Sequence, residues 1–147
     1  FDLAEISDGT LEMSQDDKCN YIAKLSKQVT VISEVGSKMA GVIIPNDEWV
    51  KMMKNELAAG SIKVIAEARE GGNIGIYNQD HSANTELIDS IVKHINLEDV
   101  LWEAPLKNQQ AWFISLFGAN VNLGNIAPTE VIALETLRVG LRGDTFF

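Results

Sequence analysis

An α/β fold of parallel strands joined by helices is what the sequence predicts, and three observations carry it. Short runs rich in Val, Ile and Leu alternate with longer amphipathic stretches along the whole chain, as strands buried on both faces and their crossover helices do. The alternation repeats about every 30 residues, the size of one βα unit. Capping residues and glycines punctuate the helical stretches at the expected ends.

The strands are predicted at Phe1–Ser7, Val29–Val35, Ile62–Ala68, Val100–Ala104 and Asn120–Leu123. Ser14 caps a first helix running to Lys27, with Asp16 and Asp17 in its first turn, where the helix dipole favours acids. Asn46 or Asp47 caps a second, from Glu48 to Ala59, which Gly60 ends. The third spans Asn84 to Ile95 and sets Leu87, Ile88, Ile91, Val92 and Ile95 on one stripe. The fourth, Asn108 to Phe117, is closed by Gly118; the last starts at Pro128 and runs from Thr129 to Leu141.

Strands separated by whole helices are parallel, with right-handed crossovers. An open doubly wound sheet or a barrel satisfies that order. The G-x-G-x-x-G turn of a dinucleotide-binding sheet is missing. Five units are too few for an eight-stranded barrel of about 250 residues, and Phe1 opens the chain without a methionine in what reads as a buried strand. Residues 1–147 are therefore predicted to be the C-terminal five βα units of a single (β/α)8 (TIM) barrel domain, its N-terminal strands missing.

The composition narrows the function. Hydrophobic residues make up 46% and charged residues 22% of the 147, a globular balance with a sizeable core. The net charge of -9, from 21 acidic and 12 basic side chains, repels nucleic acid and anionic membranes, which are excluded as general partners. An anionic small substrate stays open, since a few cations in a cleft outweigh the global field. Cys19 is the only cysteine, so no internal disulfide forms, and a reducing, cytoplasmic compartment is expected. No apolar run reaches the ~20 residues of a membrane span.

The polar residues that end the predicted strands carry the chemistry, because ligands of parallel α/β folds bind at those ends. The strands end in Glu5-Ile6-Ser7-Asp8-Gly9, Ser33-Glu34-Val35-Gly36-Ser37-Lys38, Glu67-Ala68-Arg69-Glu70-Gly71-Gly72 and Glu103-Ala104-Pro105, and the fifth carries Asn120, Asn122 and Asn125. A strand period of two puts Glu67 with Arg69 on one face and Ala66 with Ala68 on the other, beneath the helices. A barrel would aim Glu5, Glu34, Glu67 and Glu103 at one centre, at one depth. So many carboxylates need cations; Lys38 and Arg69 supply two, and a divalent ion would supply more. Oxygen ligands without histidine or cysteine favour Mg²⁺ over zinc. The competing interpretation is a set of structural ion pairs, which four carboxylates at one depth disfavour because buried charge is costly. Gly71 and Gly72, and Asn122 and Asn125 around the turn into the last helix, are candidate phosphate contacts. Trp49, Trp102 and Trp112 read as packing residues, and Arg138, Arg142 and Asp144 as a structural or interface ion cluster.

These strand ends, together with Val121-Asn122-Leu123-Gly124-Asn125-Ile126, Ala133-Leu134-Glu135-Thr136-Leu137-Arg138 and Gly140-Leu141-Arg142-Gly143-Asp144-Thr145-Phe146, resemble the phosphosulfolactate synthase family in order and spacing over essentially the whole chain. The resemblance implies a lyase on a (β/α)8 barrel that adds sulfite to phosphoenolpyruvate with Mg²⁺, opening coenzyme M biosynthesis in methanogens. The family also has bacterial members and plant members associated with heat tolerance. Its aspartate-lysine-glycine and glycine-tryptophan-glycine strand ends have no counterpart here. On this basis Glu34 and Glu67, with Glu5 or Glu103, are expected to hold Mg²⁺. Lys38 is expected to donate a proton or hold sulfite, and Arg69 to hold phosphate or carboxylate. Another Mg²⁺-dependent barrel enzyme on enolpyruvate or 2-keto acids, and a non-catalytic stress-associated barrel protein, remain as alternatives. The oligomeric state is open, a homo-oligomer among the options.

Overall fold

A computed structural model describes residues 1–8, 11, 13–37 and 41–146. Its order is β1 (Leu3–Ile6), α1 (Gln15–Leu25), β2 (Thr30–Val35), α2 (Asn46–Ala59), β3 (Lys63–Ala66), α3 (Thr85–Val92), β4 (Val100–Glu103), α4 (Lys107–Phe117), β5 (Leu123–Gly124) and α5 (Val131–Arg138). Short 3₁₀ turns at Leu97–Asp99 and Pro128–Glu130 precede β4 and α5. The five strands form one sheet in the order β1-β2-β3-β4-β5, every pair parallel. This α/β order is the one the alternation of the sequence predicts. No helix among the described residues is long and apolar enough to cross a membrane.

Strand order that follows chain order fixes where the helices go. Each right-handed crossover carries its helix to the same side of the sheet. Accordingly α1 packs on α2, α2 on α3, and α4 on α5. The strand side chains facing this layer are Val31, Val35, Val64, Ala66, Ala68, Val100, Trp102 and Ala104, all buried. Trp49 and Met53 of α2, Leu87, Ile88 and Ile91 of α3 and Phe113 of α4 complete the core. Trp102 stacks on Phe113 and Phe117 at ring-centroid distances of 5.1 and 5.7 Å, so it packs, as expected of Trp49 and Trp102; Trp112, half-buried, meets Phe113 edge to face.

Local chemistry sets the helix ends. The Ser14 hydroxyl accepts from the Asp17 N–H and the Asn84 side chain from the Leu87 N–H, two of the orphan donors a helix start leaves. Gly60 and Gly118 close α2 and α4 at φ 120° and 90°, values that side chains disfavour. Some expected bounds shift. Pro45 takes the cap position of α2, so Asn46 begins the helix and no side chain caps it. α1 ends at Leu25, α3 at Val92 and α5 at Arg138, each short of the predicted bound. β5 starts at Leu123 rather than Asn120. In β1 only Ile6 is buried and Leu3 is 47% exposed, because its side away from the helices is uncovered among the described residues.

Within the described residues the three C-terminal charged residues find separate partners. Arg138 donates to the Ala119 carbonyl and Arg142 to the Thr136 hydroxyl, while Asp144 pairs with Lys107 at 2.7 Å. Cys19 is half-buried on α1, as read, and burial pushes its thiol pKa up.

Phe113 is fully buried among three aromatic neighbours, whereas Ile132 on α5 is 81% exposed. Phe113→Ala is expected to cost about 3–5 kcal/mol, and Ile132→Ala no more than about 0.5 kcal/mol. Urea unfolding of the two variants side by side checks the difference.

Candidate active site

On the sheet face away from the helices, the strand register brings three glutamates together. Ile6 pairs with Ser33, so Ser7 stands beside Glu34; Val35 pairs with Ala66, so Gly36 stands beside Glu67; Ala66 pairs with Trp102, so Glu67 stands beside Glu103. Carboxylate oxygens of Glu34, Glu67 and Glu103 lie within 4.8 Å of one another. Glu34 and Glu67 are 4% and 1% exposed, and Glu103 is half-buried. The Ser7 hydroxyl donates to Glu34 Oε1 at 2.5 Å, and the Ala68 N–H donates to Glu103 Oε2 at 2.6 Å.

The trio lines a cavity of about 690 Å³ that also takes in Glu5, Arg69, Gly71 and Asn125. Glu5 does not join the trio. It pairs with Ile32, two residues before Glu34 on the same strand face, so it lies deeper along the strands than the other three. The expectation of four carboxylates at one depth fails because the positions step along the strands from one pair to the next.

Of the predicted phosphate contacts, Gly71 and Asn125 line the cavity. Asn125, at φ 54°, donates to the Ala68 carbonyl at 2.9 Å. Gly72 is turned away: its N–H donates to the Arg69 carbonyl at 2.7 Å, and a Cβ there would strike the Gln109 amide at 2.6 Å. Its glycine serves a tight turn packed on α4. Asn122 lies toward the other end of the sheet, donating to the Glu98 and Val100 carbonyls. Arg69 is exposed at the cavity wall. Lys38 lies outside the described residues.

Several supporting residues escaped the sequence reading. Between β3 and α3, residues 68–84 fold back over the strand ends with a bridge between Tyr77 and Ala83. The Tyr77 hydroxyl donates to the Glu103 carbonyl at 2.8 Å; burial, and secondarily the Glu103 charge, push its pKa far up, so it stays a neutral donor. The Gln109 amide donates to the Gly72 and His81 carbonyls, and its oxygen accepts from the Leu106 N–H. Ile76 N–H donates to the Glu67 carbonyl at 3.0 Å, and Gly75, at φ 78°, passes so near that a Cβ would sit 1.9 Å from that oxygen. A glutamine three residues into a helix is a recognisable end signal; nothing local in the sequence marks Tyr77.

Behind the trio, on the helix side, Lys18 of α1 is completely buried. Its ammonium pairs with Asp8 at 2.8 Å and Glu56 of α2 at 2.9 Å, and donates to the Glu34 carbonyl. Burial raises the Glu56 pKa and the Lys18 charge opposes that rise.

The donor set suits a metal of one kind. Three clustered carboxylates, mostly removed from water, disfavour full ionisation unless a cation is close, and oxygen-only ligands match a hard divalent ion such as Mg²⁺.

Gly36 sits at φ 143°, and a Cβ there would lie 2.4 Å from the Glu67 Cβ and 2.8 Å from the Trp49 ring. Gly36→Ala is therefore expected to destabilise by at least about 2 kcal/mol through backbone strain and overlap, with Glu67 displaced from the trio. A melting curve together with a crystal structure of the variant checks both effects.

The comparisons with known proteins bear on the same segments. The family described as (2R)-phospho-3-sulfolactate synthase (ComA) matches residues 1–144. The chain is 44% identical over 146 residues to the phosphosulfolactate synthase of Bacillus subtilis (strain 168), covering 97% of this chain and 58% of that protein. It is 41% identical over 149 residues to the phosphosulfolactate synthase of Methanothermobacter thermautotrophicus, covering 99% and 58%. To that of Methanocaldococcus jannaschii it is 41% identical over 150 residues, covering 99% and 60%. The chain thus spans a little under three fifths to three fifths of the length of these curated relatives. With the match running through every strand end that builds the cavity, this chain belongs to the (2R)-phospho-3-sulfolactate synthase family.

Proposed function

We propose that the protein of which these residues are part is a phosphosulfolactate synthase, a carbon–sulfur lyase that adds sulfite to phosphoenolpyruvate with Mg²⁺. The observation that carries this reading is the trio Glu34, Glu67 and Glu103, converging at the strand ends of a family member. A cytoplasmic location and a role in coenzyme M synthesis belong to the same proposal.

The proposal includes the architecture. A sheet whose strand order follows chain order, with its helix layer on one side, curves by strand twist toward closure. Among the described residues β1 and β5 each pair with one strand only. Five βα units on a chain that spans about three fifths of its relatives' length support five eighths of a (β/α)8 barrel. In this reading residues 1–147 are the C-terminal portion of one barrel domain.

Sulfite attacks the methylene carbon of phosphoenolpyruvate through its sulfur lone pair. A carbon–sulfur bond forms, the double-bond pair moves toward the carboxylate, and the neighbouring carbon takes up a proton. No group leaves, and the phosphate stays on its oxygen. Negative charge therefore grows on the substrate carboxylate, and the site must stabilise it there. Mg²⁺ held by Glu34, Glu67 and Glu103 would supply electrostatic stabilisation of that carboxylate. Arg69, on the cavity wall, binds the phosphate or the carboxylate through its planar fork. Glu5, deeper in the same cavity, serves in this reading as a cavity-lining acid whose link to the ion would run through water. Asn125 and Gly71 shape the phosphate end. Lys38, two residues past Gly36, is the proposed proton donor.

In the full-length protein, sulfite-dependent consumption of phosphoenolpyruvate is the direct test; its absence with Mg²⁺ present counts against the reading. Glu34→Gln and Glu67→Gln keep shape while removing an anionic ligand, so each should raise the Mg²⁺ concentration needed for half-maximal turnover with the melting temperature little changed. Unchanged Mg²⁺ titrations in both would make the trio a structural cluster.

Lys38→Met should lower kcat by roughly 10²-fold or more, the scale of a lost general acid. A variant that melts early but turns over normally per folded molecule would make Lys38 a structural counter-ion.

A further inference from the structure

Each glutamate of the trio has its main-chain oxygen held by a donor from outside the strand ladder. The Glu67 carbonyl accepts from the Ile76 N–H and the Glu103 carbonyl from the Tyr77 hydroxyl. The third, Glu34, is held from the opposite side, by the ammonium of Lys18. Lys18 is fully buried, and its other partners fix it from two directions: Asp8, in the segment that follows β1, and Glu56 on α2. Gln15, one turn earlier on α1, also donates to Glu56 at 3.2 Å.

We infer that Lys18 is a positioning residue for the carboxylate site, setting the placement of Glu34 from behind the sheet; the inference rests on the metal-binding role proposed for the trio. The physical argument starts at the split between β1 and β2. Their pairing runs to Ile6 and Ser33, and just beyond it the Lys18 ammonium touches both the Glu34 carbonyl and the Asp8 carboxylate. One cation thereby fixes the end of β2 and the segment that carries Ser7, whose hydroxyl meets Glu34 Oε1. Backbone and side chain of Glu34 are both constrained through Lys18 and its neighbours. A fold-stabilising ion pair alone would need only Glu56. The contacts to the Glu34 carbonyl and to Asp8 aim at the site.

The test must separate placement from stability. Lys18→Met alone strands the buried Glu56 charge and is expected to destabilise strongly. The double variant Lys18→Met/Glu56→Gln removes both charges, leaves the half-exposed Asp8 to solvent, and should recover most of the lost melting temperature. Mg²⁺ binding to the full-length protein is then measured by calorimetry without substrates, well below the melting temperature. Loss of a partner that orients a ligand should weaken Mg²⁺ binding in the double variant by about 10- to 100-fold, even with stability regained. Amide exchange at Glu34 and Val35 should accelerate in the same preparation. A double variant that binds Mg²⁺ as the unmodified protein does overturns the positioning role and leaves the metal site standing. An unmodified protein that binds no Mg²⁺ overturns the metal site and the positioning role with it.

Discussion

A parallel strand gives alternate side chains to opposite faces, and the whole site depends on that constraint. With all crossovers on one side, one parity of side chains must be apolar to meet the helices. Val31, Val64, Ala66, Val100 and Trp102 meet that demand. The other parity is relieved of it, and Glu5, Glu34, Glu67 and Glu103 stand there. Because the parities are locked, a one-residue slip would drive glutamates into the helix layer. The packing core therefore enforces the register, and the register in turn places the carboxylates. Stability and site geometry share one cause.

How much of this the sequence revealed follows from the same distinction. Parity is a local property, so the strand-end glutamates and the helix-facing alanines could be read from Glu67-Ala68-Arg69 and its counterparts. Stagger between strands is a tertiary property, so the depth of Glu5 and the placing of Asn122 at the far end could not. Gly72 misled for another reason: a glycine serves a tight turn as readily as an anion, and its N–H is engaged by Arg69. Lys18 was hidden in a polar run, Gln15-Asp16-Asp17-Lys18-Cys19. Its spacing of four from the buried Ile22 puts it on the inward helix face, the one signal that could have exposed it.

The acidity of the chain and the anionic substrates proposed for it are compatible because charge acts locally. At -9 the field of these 147 residues repels anions. Fields from exposed charges fade within about 10 Å at moderate salt, while inside a cavity of about 690 Å³ the nearest groups dominate. Arg69 lies on that wall, and a divalent ion would offset two of the trio's three negative charges.

The support of the trio also bears on how rigid it can be. Metal ligands in mobile loops must be ordered on binding, and that ordering weakens affinity. Here the three glutamates sit at strand ends, and their carbonyls are tied by three donors from two parts of the chain: α1 through Lys18, and the segment after β3 through Ile76 and Tyr77. Tyr77 can act only as a neutral phenol, and its raised pKa keeps it so. Gly75 lets that segment come close enough for Ile76 to reach Glu67, at a φ that disfavours any side chain. The segment between β3 and α3 is consequently part of the scaffold of the carboxylate cluster, and Gly75, like the lysine proposed to act from behind Glu34, bears on it through the placement of backbone.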